Sequence, residues 1–179
     1  MLQLLLFPAQ RPPHFGEELL RVEGAFQVRR DDGICAIIEI VAIMVVDTNV
    51  FVSALLGPSG ASREILRRCL SGAHTPLMSS ALFSEYEAVL SRRALFRGCV
   101  LPAHEREVLL DAFLKVCRWI HVYYLWRPNL PDEADNYVIE LAIAGAADAV
   151  TTRNSRDFAA AELRFPNLRI VSPEDFIKE

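Results

Sequence analysis

Lysine is nearly missing from this chain of 179 residues: only Lys115 and Lys178 stand among its 19 basic residues. Arginine supplies the rest, a bias that reads as genomic base composition rather than function. Cysteine is scarce and scattered. Cys35, Cys69, Cys99 and Cys117 form no CxxC pair and no Cys/His set at zinc spacing. That argues against a disulfide framework or zinc module and for reduced, mostly buried thiols. Long apolar runs are lacking too. The longest, Ile34 to Val46, is broken by Glu39 and closes on Asp47. It falls short of the roughly 20 residues that span a bilayer and reads as one or two buried strands. The stretch Leu2 to Leu6 has no Lys or Arg before it and no small-residue cleavage site after it, unlike a secretory signal. No GxxxxGK[ST] string appears, which excludes a P-loop. A cytoplasmic protein without a membrane segment is the expectation.

What is present is a rich apolar fraction, 52%, with a mean hydropathy of +0.22. The length suits one globular domain with an appendage, and a chain of this size buries roughly 70% of its unfolded surface. Net charge is −4. A mildly acidic chain can still bind nucleic acid, because the local field decides and a bound cation inverts it.

Residues 1–43 differ in character from 44–179. They hold the loop-like Pro8-Ala9-Gln10-Arg11-Pro12-Pro13 and charge-mixed segments without a sustained period. At Met44 a buried strand begins and runs into a turn, Met44-Val45-Val46-Asp47-Thr48-Asn49. Met44 is therefore the expected start of the domain and an alternative start of translation; a genuine N-terminal arm is the other reading. Beyond it, helices are expected at Thr48 to Leu56, Ser62 to Leu70, Ala81 to Leu90, Pro102 to Cys117, Asp132 to Ala144 and Pro173 to Ile177. Strands are expected at His74 to Ser79, Trp119 to Tyr124, Ala149 to Thr152 and Leu168 to Val171. Strands separated by helices imply an α/β fold, a mainly parallel sheet covered on both faces.

Ligands of such a sheet collect beyond the carboxyl ends of its strands. Asp47 closes the first strand, where an unpaired buried charge would cost several kcal/mol; it could also cap the next helix. Glu85 shares the apolar stripe of Leu82 and Val89, an unusual place for a solvent-facing charge, whereas Glu87 reads as surface. In Pro131-Asp132-Glu133-Ala134-Asp135-Asn136, Asp132 reads as a helix cap and Asp135, aligned with Ile139 and Ala142, as the site residue. After the strand at Ala149, either Asn154 or Asp157 could reach the site. Asp157 carries charge and is the stronger candidate; Asn154 reads as an orienting or substrate-contacting group. Acids from four segments suit Mg²⁺ or Mn²⁺, hard cations that take oxygen ligands and keep several waters. Without a cation they would raise one another's pKa.

These strings resemble PIN domains in order and spacing. Met44-Val45-Val46-Asp47-Thr48-Asn49-Val50 is similar to the opening of that family, Ser79 to Leu90 to its second acidic motif, and Asp132 to Ala142 to its third. Thr152-Arg153-Asn154 with Arg156-Asp157-Phe158 is similar to its closing motif. The resemblance, nearest to VapC-like toxin components, covers about Met44 to Glu179. It implies a three-layer α/β/α fold and Mg²⁺- or Mn²⁺-dependent cleavage of single-stranded RNA. It also implies a homodimer and a cognate antitoxin that blocks the site. By position, Asp47, Glu85, Asp135 and Asp157 match the acidic quartet and Asn49 the polar residue supporting the first acid. Many relatives have Asp where Asn154 stands, which leaves the fourth ligand open.

Arg63, Arg67, Arg68, Arg92, Arg93 and Arg97 could line a path for phosphates, with Arg153 and Arg156 beside the fourth acid, although arginines on such helices more often form solvated faces. Trp119, Tyr123, Tyr124 and Trp126 read as core or dimer packing before base stacking. His74, His104 and His121 have no nucleophile at recognisable spacing. The competing reading is a catalytically silent PIN-like module that binds RNA or protein. A dehalogenase-type phosphatase is disfavoured because Asn49 stands where that chemistry needs a second Asp.

Overall fold

The computed structural model describes residues 41–127, 129–130, 132–159 and 165–178, and the backbone of three earlier strands. Those strands, β1 (Glu18–Val22), β2 (Ala25–Arg29) and β3 (Cys35–Glu39), form an antiparallel sheet in the order β1-β2-β3, with Val22 opposite Ala25 and Phe26 opposite Ile38. They belong to a unit spanning Met1–Ile40, and the remainder to a second, Val41–Glu179. The apolar run Ile34 to Val46 is thus divided between two sheets, β3 in one and β4 (Ala42–Val46) in the other.

In the second unit β4 is central. Met44, Val45 and Val46 are all essentially inaccessible. Successive strand residues point to opposite faces, so both faces of the sheet are covered. The other strands are β5 (His74–Met78), β6 (Arg118–Trp119), β7 (Ala149–Thr151) and β8 (Arg169–Val171), in the all-parallel order β6-β5-β4-β7-β8. This is a three-layer α/β/α arrangement. From β4 the chain first moves to β5 and β6 on one side, then returns to β7 and β8 on the other. The crevice between β4 and β7 is where the order reverses, the place at which such sheets bind ligands.

The helices are α1 (Thr48–Leu56), α2 (Ala61–Leu70), α3 (Ser80–Leu90), α4 (Ala103–Val116), α5 (Asn136–Ala144), α6 (Ser155–Ala159) and α7 (Pro173–Lys178). α1 is apolar nearly throughout and buries Val50, Phe51, Ala54 and Leu55. Helix α2 carries Ile65, Leu66 and Cys69 inward and arginines outward. It stops where Gly72 adopts a left-handed φ of 81°, a conformation that glycine takes without strain. Phe51, Tyr86 and Phe113 form an aromatic cluster joining α1, α3 and α4.

Two expectations change. The strand expected over Trp119 to Tyr124 stops at Trp119. Ile120 still donates to Met78 O, and residues 121–127 then leave the sheet edge. The helix expected from Asp132 opens as a 3-10 turn over Glu133–Asp135 and becomes α-helical only at Asn136. Among the described residues, no helix is long and apolar enough to cross a membrane.

Candidate active site

Asp47 stands between β4 and α1, at the N-cap of the helix. Its N–H continues the sheet by donating to Thr151 O at 3.0 Å, and its carbonyl accepts from Val50 and Phe51, opening the helix. The side chain is 9% exposed. Asp47 Oδ2 accepts from Asn49 Nδ2 at 2.7 Å and from Thr152 Oγ1 at 2.6 Å. Burial pushes the Asp47 carboxyl above its ordinary range, against the lowering pull of those two partners. The carbonyl just before it is also fixed: Tyr86 Oη, fully buried on α3, donates to Val46 O at 2.9 Å.

Asn49 ties the first and last motifs together. Its amide also donates to Thr152 Oγ1, and its Oδ1 accepts from the Arg153 N–H at 3.0 Å. Thr152, fully buried, accepts in turn from the Asn154 N–H at 3.0 Å. Neither Thr152 nor Tyr86 was singled out by the sequence. The signal for Thr152 was its place directly after a buried strand.

Glu85 lies in the second turn of α3, half-buried, while Glu87 is exposed. Ser79 starts that helix by accepting the Leu82 N–H on its hydroxyl. Asp135 is the last residue of the 3-10 turn, and its N–H donates to Asp132 O at 3.1 Å. The buried Asn136 fastens this turn, accepting from Leu130 N–H and donating to Glu133 O. Asp132 is exposed and precedes the 3-10 turn; the residue at the cap position of α5 is Asp135, not Asp132, because the turn intervenes.

Asp47, Asn49, Glu85, Asp135, Arg153 and Asn154 line one cavity of about 730 Å³. Asp157 stands behind Asn154, whose amide donates to Asp157 Oδ2. Of the two candidates for the fourth position, Asn154 lines the cavity, whereas Asp157 does not line it but still bears electrostatically on Asp135. Burial pushes the Asp135 carboxyl up to about 6, with added repulsion from Asp47, Asp132, Asp157 and Glu85. Burial, then Asp47, Glu85 and Asp135, hold the Tyr137 phenol on the cavity wall above its ordinary range.

This donor set fits a hard divalent cation in chemistry: carboxylate and amide oxygens whose repulsion positive charge would relieve. Among the described residues, however, no three His, Cys, Asp or Glu side chains stand close enough together to hold a metal ion as they are; Mg²⁺ is often held by one or two carboxylates plus waters.

The arginines divide. Arg63 donates to Gly57 O and Ala54 O, and Arg67 and Arg68 bind Glu64, so these three are engaged within the domain. Arg92, Arg93, Arg97 and Arg156 are exposed. Arg153, on the cavity wall, pairs loosely with Glu174 at 3.4 Å. Trp119 packs edge-on against Phe83 and Trp126 against Phe165, whereas Tyr123 and Tyr124 are about four-fifths exposed. His74 is half-buried against Phe176 and does not line the cavity.

The PIN domain profile matches residues 44–156, more than half of the chain, and the chain belongs to the PIN-domain family. Among solved structures, the crystal structure of VapBC2 from Rickettsia felis bound to a DNA fragment from their promoter holds a chain similar to this one. The TM-score is 0.50 and the identity 19%, over 73% of this chain and 98% of that one. At that identity the likeness is one of fold. No curated protein matches the sequence.

Proposed function

We propose that the chain is a Mg²⁺- or Mn²⁺-dependent endoribonuclease that cuts single-stranded RNA. In this reading it is the toxin of a cytoplasmic toxin–antitoxin pair, a homodimer whose site a cognate antitoxin blocks. PIN domains are in general nucleases, and the similar VapBC2 chain comes from a complex bound to DNA from its promoter. The observation that carries the reading is electrostatic. Asp47, Glu85 and Asp135 line one cavity, and Asp47, Asp132, Asp157 and Glu85 all bear on Asp135.

In this reading Asp47, Glu85 and Asp135, which line the cavity but are not drawn together around an ion among the described residues, would supply the carboxylates, with Asp157 or Asn154 as a further ligand. Bound there, Mg²⁺ or Mn²⁺ supplies Lewis acidity and neutralises charge on the phosphodiester. Asn49 and Thr152 fix the Asp47 carboxylate, so its free direction is set before substrate arrives. Arg153, with Arg156 nearby, offers the positive charge that positions a backbone phosphate. The domain is taken to begin near Met44, with residues 1–43 an extension.

The test is incubation of the purified chain with mixed RNAs in Mg²⁺, in Mn²⁺ and in chelator, with the cut ends mapped. Cleavage that needs the cation and disappears in Asp47→Asn supports the proposal. RNA bound but never cut would favour the silent binding module, a reading supported by the lack, among the described residues, of three His, Cys, Asp or Glu side chains placed to hold an ion.

A further inference from the structure

The cavity that holds the acids is larger and less polar than a phosphodiester and its cations need. At about 730 Å³ it has the size of a small-molecule pocket. Its lining changes character along two helices. Going down α1 from Asn49 the wall becomes Val52, Ser53 and Leu56, a walk of roughly 10 Å at 1.5 Å per residue. On α3 it changes from Glu85 to Val89 one turn later, and Leu95 joins from the 3-10 turn Arg93–Phe96. Leu56 and Leu95 are 40% and 41% exposed. Large aliphatic side chains left in water on a cavity wall call for an apolar ligand surface.

Both exposed leucines sit on fastened turns. Beside Leu56, the Gly57 N–H donates to Ser53 O at 3.1 Å, and Arg63 Nη1 donates to Gly57 O at 3.0 Å. Beside Leu95, Phe96 is buried with the Arg106 guanidinium 4.2 Å above its ring. The apolar wall is therefore built in place rather than borrowed from a loose loop.

We propose that this apolar half of the cavity, walled by Val52, Leu56, Val89 and Leu95, receives an unpaired nucleobase next to the phosphodiester held at the acids. The inference rests on the ribonuclease reading of the acidic end. The argument is continuity: a phosphodiester at the carboxylates carries a nucleoside on each side, and the apolar wall begins one helical turn away. Val52, Leu56, Val89 and Leu95 make this side aliphatic, with Ser53 between Val52 and Leu56 on α1; the other hydroxyls of the lining are those of Thr48 and Tyr137. Such a wall grips base faces and sorts them by size, and it cannot read their edges in detail. A base paired in a duplex could not enter, so the site selects an unstacked nucleotide.

The experiment uses the full chain and short oligoribonucleotides of each base, intact or with one abasic position. Cleavage is followed by mapped ends, and binding by fluorescence anisotropy in an Asp47→Asn background. An abasic position beside the cut should lower kcat/KM by about tenfold. Leu56→Ala with Leu95→Ala should cost the intact substrate a similar factor and become insensitive to that abasic position. Leu56→Trp, which fills the pocket, should discriminate against purines more than pyrimidines. Because both leucines are exposed, parent-like melting of the variants is expected.

Independent, multiplying effects of the abasic position and the leucine changes would overturn the pocket. So would leucine variants that handle every oligonucleotide like the parent while changing the sedimentation of the chain, which would mark a contact between copies. If the parent cuts nothing in any metal, the ribonuclease reading fails by itself. The anisotropy cycle then still decides whether the leucines meet a base.

Discussion

Thr152 Oγ1 donates to Asp47 Oδ2 at 2.6 Å across 105 residues of sequence, joining the ends of the adjacent strands β4 and β7. The hydroxyl thereby gives a buried carboxylate one of the donors that its desolvation demands. Thr152→Val keeps the shape and removes the donor. Hydrogen bonds to charged groups contribute about 1.5–3 kcal/mol, and we expect urea denaturation to read a loss of that order. RNA cleavage should fall as well, because the acid loses its orientation. Parent-like stability and activity together would show that Asn49 alone holds Asp47.

Asp135 gives the site a pH dependence whose sign is fixed. Its carboxyl is raised from 3.8 to about 6, by burial first and then by Asp47, Asp132, Asp157 and Glu85. A group raised in the folded state binds its proton more tightly there. Its contribution to stability is present below the unfolded value near 4 and is lost as pH rises through 6. In chelator, the change in urea midpoint between pH 5 and pH 7 should therefore shift in Asp135→Asn toward greater relative stability at pH 7. Asp47 acts in the same direction. Divalent cations compete with that proton, so their affinity should fall as pH drops through the same window. A pH profile identical in parent and variant would refute the assignment.

The buried Glu140 is the least expected charge in the fold. Its carboxylate is 2% exposed and accepts from Arg127 Nε at 3.0 Å, Arg127 Nη2 at 3.3 Å and the Trp126 N–H at 3.0 Å. Removing one partner of a buried pair typically costs about 3–5 kcal/mol, but Arg127 is 43% exposed and water can replace part of it. We expect Arg127→Ala to destabilise by about 2 kcal/mol and to make residues 120–127 more sensitive to limited proteolysis. Arg127→Leu combined with Glu140→Leu should recover most of the loss. If the double change is worse than the single one, the carboxylate has another essential partner.

These residues also mark what the sequence could tell. The path from Met44 through Asp47 into α1 was legible because three apolar residues, an acid and an apolar helix follow one another without ambiguity. Glu85 was legible from its stripe with Leu82 and Val89. The stretch Trp119 to Tyr124 misled, since β-branched and aromatic residues suit a strand; after Ile120 the segment is held by Glu140 on another element instead. Glu140 itself was readable in principle, as a lone charge in Asn136-Tyr137-Val138-Ile139-Glu140-Leu141-Ala142 that had to find a partner. The tie between Asn49, Thr152 and Arg153 depends on strand neighbours that no local pattern encodes. For the same reason, charge favoured Asp157 over Asn154 in the sequence, whereas in the structure it is Asn154 that lines the cavity, hydrogen-bonded to Asp157.

The domain boundary can be tested to within three residues. Met44 looks like a beginning in the sequence, yet β4 starts at Ala42. Ala42 and Ile43 pair with His74 and Thr75 on β5. Ile43 also donates to Asp148 Oδ2 at 2.8 Å and accepts from the Asp148 N–H at 2.7 Å. A chain begun at Met44 gives up these bonds and puts a charged amino terminus on a residue with no exposed surface. Each lost hydrogen bond is worth about 0.5–1.5 kcal/mol, and burying the ammonium adds to that. Compared with a chain begun at Val41, the Met44 form should therefore be less stable by about 2–4 kcal/mol, read as a lower midpoint in urea. Equal midpoints would mean that the sheet tolerates an end in its centre, and Met44 would then stand as a sufficient start.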